Sequence, residues 1–119
     1  MLDNSHPLMI NGVAVVSAPG EIDIVNAEQL RVVLREAGRL GHATVVVDMT
    51  GTRFCDSEGF SVLVWAHKWA LAEGGGLRLV IPAGSPVLRV FRVTGLGGFI
   101  PRFGSLEQAL CPEPAATAD

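Results

Sequence analysis

The sequence predicts one α/β domain: a small mixed β-sheet with helices mainly on one face, in the order ββαβαβαβα. Three observations predict it. An Asn-Gly pair divides two short apolar runs near the N-terminus. Two further runs, residues 43–47 and 77–81, are rich in Val, Leu and Ile and end near turn residues. Around them lie segments whose apolar residues recur at helical spacing. Parallel strands joined by helices take right-handed crossovers almost without exception, so helices linking neighbouring strands land on one face. The other face is expected to stay relatively open.

The elements follow in order. Asn11-Gly12 suits the two φ > 0 positions of a tight hairpin turn between residues 8–10 and 13–16. Residues 17–23, "SAPGEID", read as a loop or an interrupted edge strand, because Pro19 and Gly20 break a ladder. Asn26 is expected to cap the first helix with Gln29 as its capping-box partner. Leu30, Val33, Leu34 and Ala37 form that helix's apolar stripe, and Gly38 or Gly41 ends it. Residues 43–47 read as a strand buried on both faces. A second helix is expected from near Asp56 to about Glu73, stopped by "GGG" at 74–76. After the strand at 77–81, Pro86 opens a third helix through Val93, with Gly95 near its end. Residues 99–103 suit a last short strand, and Ser105 caps a final helix, "SLEQAL".

Bulk properties bound the function. With 119 residues, 49% of them hydrophobic, the chain can bury one core without disulfides. The domain is expected over residues 1–110, and the tail 111–119, "CPEPAATAD", is expected to be disordered. The net charge is -3 with no basic patch, which argues against nucleic acid as the main partner. Mean hydropathy is +0.40, yet the longest apolar run, near residues 60–66, is far short of the roughly 18–20 residues that span a bilayer. Neither membrane insertion nor a signal peptide is expected. Cys55 and Cys111 make no framework, which suits a reduced, cytoplasmic compartment.

Motifs for chemistry are sparse. His6, His42 and His67 lack metal-ligand spacing, and His67 falls on an apolar helical stripe, where a hydrogen-bonded core-edge histidine is the expectation. "DSEGF" is not a nucleophile elbow, and neither "EGGG" nor "GLGG" leads into Lys-Ser/Thr as a phosphate loop would. No catalytic group, metal or cofactor is expected. The junction "FCDSEGF" is the most informative stretch. Asp56 suits an N-cap, which puts Ser57 and Glu58 in the first helical turn, where free N–H groups and the helix dipole favour negative charge. Capping alone explains the cluster. A phosphate on Ser57 would also be tolerated there and would add about -1.5 to -2 charge to an acidic surface. On the same helix Phe60, Leu63, Val64, His67 and Leu71 form the stripe expected to face the sheet. Glu58, Val62, Trp65 and Trp69 form a second stripe, for helix–helix packing or for a partner.

Four ordered pieces then carry a resemblance. They are "GEID" at 20–23, "VVVDMTGTRFCDSEG" at 45–59, "GGGLRLVIP" at 74–82 and "SPVLRVFRVTGL" at 85–96. Together they resemble the STAS-domain family, and within it the short bacterial anti-sigma factor antagonists, over roughly residues 8–110. The resemblance implies a non-enzymatic regulator that binds an anti-sigma factor with serine kinase activity and so frees a sigma factor for transcription. It implies Ser57 as the phospho-acceptor whose modification breaks the complex, Asp56 as the acid capping the helix beside it, and the loop around Glu21 and Asp23 as part of the partner-facing region. Glu58, Ser61, Trp65 and Trp69 of the same helix complete the candidate partner surface. A phosphatase is a further candidate partner, and whether the chain forms a homodimer stays open. Glu58 stands where relatives carry a small residue, and the two tryptophans stand where small or polar residues are expected. The alternative role is a STAS scaffold subunit of a lipid-transport or other assembly, without phospho-switching. A nucleotide-binding domain is the third reading, with no phosphate loop to support it.

Overall fold

The Asn11-Gly12 turn adopts the expected geometry, with φ of 54° and 78°, and joins β1 (Leu8–Ile10) to β2 (Val13–Ser17) as an antiparallel hairpin. The computed structural model describes residues 7–41 and 43–111. Parallel to β2 run β4 (Thr44–Asp48), β6 (Gly76–Val80) and β7 (Arg102–Phe103), giving a five-stranded mixed sheet in the order β1-β2-β4-β6-β7. The helices are α1 (Ala27–Leu40), α2 (Ser57–Ala72), α3 (Pro86–Val93) and α4 (Leu106–Leu110). Ser85 and Ser105 cap α3 and α4 through their side chains.

Strand alternation sorts the core into two layers. Val16, Val45, Val47, Leu77 and Leu79 point to one face and pack with Leu30, Leu34, Leu63 and Phe91 from α1, α2 and α3. Val15, Val46 and Val80 point the other way, where Ala109 of α4 meets them with Leu106 and Leu110 at the margin. The second face is therefore less open than expected. Its cover is held by Arg78, which also points that way and donates to the Ala109 carbonyl at 2.9 Å.

Three local expectations need correction, and one open choice is settled. The stretch 17–23 and the loop before α2 contain strands β3 (Glu21–Ile22) and β5 (Phe54–Cys55), which pair in parallel as a separate ladder. Two-residue strands carry no periodicity, so their pairing is tertiary information. Of the two glycines expected to end α1, it is Gly41 that forms the C-cap, and the helix runs through Gly38 to Leu40. Trp69 of α2 fills the space a Cβ at Gly38 would need, so glycine there permits a close helix crossing. Asn26 does not cap α1 with its side chain; its Oδ1 accepts from the Asp23 amide at 3.0 Å and its Nδ2 donates to the Glu21 carbonyl at 2.8 Å. Leu71 is exposed rather than packed on the sheet, because it lies over Gly76 at the start of β6, which offers no side chain.

Candidate functional site

The junction identified in the sequence is built by the small β3–β5 ladder. Glu21 pairs with Phe54 and Ile22 with Cys55, and the Asp56 amide donates to the Ile22 carbonyl at 3.0 Å. The turn leading into β5 is tied down by buried Thr52, whose hydroxyl donates to the Pro19 carbonyl at 2.8 Å. The ladder brings the Glu21–Asp23 segment alongside the start of α2. Asp56 has extended backbone geometry and accepts from the Gly59 amide at 3.0 Å, so it is the N-cap. Gly59 is buried, and a Cβ on it would lie 2.6 Å from Cys55 Sγ and 2.7 Å from Ile22 Cγ2. The first turn of α2 is thus pressed onto the ladder through a residue without a side chain. Ser57 and Glu58, the two residues before it, are exposed.

The Asp23 carboxylate accepts from the Val25 amide at 3.0 Å and the Asn26 amide at 3.4 Å. With the two Asn26 bonds, this folds the β3–α1 connection into a defined loop that leaves Ile24 72% and Val25 85% exposed. Phe54 is 51% exposed on the neighbouring strand. Sequence reasoning missed these apolar groups; a polar loop ordinarily carries few of them, and "IV" directly after "GEID" was the available signal.

Ser57, Ser61 and Trp65 line one open groove with Phe60 and Lys68 of α2 and Leu96 beyond α3, a space of ≈ 490 Å³. Glu58 does not line it. Trp65 is half-buried, and the Arg31 guanidinium of α1 lies 4.6 Å from its ring centroid. Trp69 is stacked beside Trp65, with centroids 6.5 Å apart, but rests on Gly38 and lines a different depression with Arg35, Arg39 and Glu73. Val62, on the same stripe, is buried. That stripe is therefore mainly a helix–helix seam; it brings Trp65 to the groove and leaves Trp69 apart from Ser57.

Two titratable groups near α2 are shifted by burial. Burial pushes the Cys55 thiol up to about 12, and the neighbouring Asp56 carboxylate adds to the rise. Cys55 is therefore a neutral thiol, unsuited to act as a nucleophile. His67 is buried, and its Nδ1 accepts from the Leu77 amide at 3.0 Å while the Phe99 ring meets it edge-on at 4.7 Å. Burial lowers its pKa, against a smaller opposite effect of a hydrogen bond with the Phe99 backbone. This is the core-edge histidine the apolar stripe implied. Among the described residues no group of three His, Cys, Asp or Glu could hold a metal ion, and His6 and His42 lie outside them. Among the same residues no helix is long and apolar enough to cross a membrane.

Comparison with known proteins agrees with this fold. The family model of the STAS domain matches residues 8–109. Anti-sigma-F factor antagonist RsfB of Mycobacterium tuberculosis is 31% identical over 103 residues, spanning 84% of this chain and 80% of that protein. The crystal structure of an anti-sigma factor antagonist from Mycobacterium paratuberculosis superposes with a TM-score of 0.73 at 29% identity, covering 95% of this chain and 92% of that one. The Bacillus cell-fate determinant SpoIIAA in its phosphorylated form superposes with a TM-score of 0.61 at 25% identity, covering 87% of this chain and 92% of that one. Fold, ordered motifs and family match converge, and the chain belongs to the STAS-domain family.

Proposed function

We propose that this chain is an anti-sigma factor antagonist that docks on an anti-sigma factor with serine kinase activity and is released when Ser57 is phosphorylated. The observation that carries the reading is Ser57 itself: an exposed hydroxyl at the first position of α2, directly after its capping aspartate. The similarity to RsfB and to phosphorylated SpoIIAA supports the same role. In the transfer, the Ser57 Oγ attacks the γ-phosphorus of ATP. The new O–P bond forms as the bond to ADP breaks, and the hydroxyl proton passes to a base of the kinase. The product dianion is tolerated by the N-terminal amides of α2 without unfolding the helix. Its surroundings already carry Glu21, Asp23, Asp56 and Glu58, so in a closed interface it is repelled or stranded without solvent. Glu58 contributes a permanent charge next to the acceptor and tunes which kinase fits. A phosphatase that removes the phosphate restores docking.

The test is incubation with the genome-neighbour anti-sigma kinase and ATP, followed by phosphosite mapping by mass spectrometry. The reading expects one phosphate on Ser57 and loss of the complex. An unmodified Ser57 together with no complex at any stage would overturn it.

A further inference from the structure

We infer that the groove beside Ser57 receives an amphipathic segment of the same anti-sigma partner, with an apolar side chain against Phe60, Val64 and Leu96 and a carboxylate at Lys68. This rests on the proposed function and specifies how the partner is gripped. Ser57, Ser61, Val64, Trp65 and Lys68 recur at helical spacing along one side of α2, and Leu96 faces them from beyond α3. The walls are largely apolar, and ≈ 490 Å³ is room for a few side chains. The groove is open to solvent, so a polypeptide segment can enter it from the surface. Its charge selects the occupant. Lys68 is the chain's one lysine and, among the described residues, the one charged residue lining the groove, in a chain of net charge -3. Lys68 is exposed and enters no salt bridge among the described residues. An acidic residue on the partner satisfies it, whereas a basic one is repelled. Because Ser57 stands at the opposite end of the same stripe, a phosphate there meets the end of the bound segment.

The test uses the full chain and the purified kinase partner, comparing wild type, Lys68→Glu and Ser57→Asp by affinity. Lys68 is also labelled by reductive methylation in the free and bound states. The expected result is that Lys68→Glu weakens binding about tenfold or more with an unchanged melting temperature, and that the partner shields Lys68 from labelling. If Ser57→Asp abolishes binding while Lys68→Glu binds like wild type and Lys68 labels equally in the complex, the groove assignment fails and the Ser57 reading stands. Weaker binding without shielding also overturns it, since the charge then acts from outside the contact. If wild type itself does not bind, both inferences fall.

Discussion

The two ends of α2 are built on opposite principles. At its C-terminal half, His67 accepts from the Leu77 amide inside the core, and Trp69 lies across Gly38 of α1. Polar and aromatic groups there are consumed by packing. At its N-terminus the backbone is just as tightly held, by the Asp56 cap and by Gly59 against Ile22 and Cys55. Yet its side chains, Ser57 and Glu58, point to solvent. A rigid backbone that presents unused functional groups is the arrangement expected of a recognition site. The difference teaches that α2 is one helix with a half consumed by packing and an end that presents free functional groups, and substitutions can separate them.

The largest effect is expected from Ser57→Asp, which should weaken binding of the anti-sigma partner by roughly 2 kcal/mol or more, as like charges are brought into an interface, while leaving the melting temperature nearly unchanged. Calorimetric titration beside a thermal melt separates the two. Gly59→Val and Gly38→Ala each force atoms into filled space and should cost about 1–3 kcal/mol of folding stability by denaturant unfolding. Only the Gly59 change should also weaken partner binding, because it displaces the cap and Ser57; equal binding losses would erase the distinction between the two ends.

A pH series sharpens the structural end. The folded-state pKa of His67 is lowered from 6.5 by burial, so the unfolded chain takes up its proton first on acidification. The stability it contributes is complete above about pH 6.5 and is lost as pH falls through the usual histidine range toward the lowered value. His67→Gln should flatten that part of the stability profile relative to wild type, with His6 and His42 common to both proteins. Asp56→Ala should cost about 1 kcal/mol, the worth of an N-cap. The mildest probe is thiol labelling: Cys111 is exposed and Cys55 buried, so one thiol should react promptly and the second only as the chain unfolds.

Much of this was legible in the chain itself. The hairpin, the two central strands, the caps at Asp56 and Ser105, the start of α3 at Pro86 and the extent of α2 follow from residue types that act within a few positions of themselves. The β3–β5 ladder was not legible, because what holds Glu21–Ile22 is Phe54–Cys55, far along the chain. Asn26 shows a related limit. Its side chain had two uses of similar strength, and the loop carrying Glu21 and Asp23 won over the cap. Trp65 and Trp69 look alike on a helical wheel, but Arg31 and Gly38 of α1 assign one to the groove margin and the other to the seam. At the candidate site, residue identities were readable and their neighbours were not.

The central claim is that charge at the Ser57 position, rather than loss of its hydroxyl, ends partner docking. Affinity of the purified anti-sigma factor for Ser57→Ala and Ser57→Asp, measured side by side at one salt concentration, tests it most directly. Ser57→Ala should bind close to wild type and Ser57→Asp at least about tenfold more weakly; equal affinities for the two variants would contradict the account.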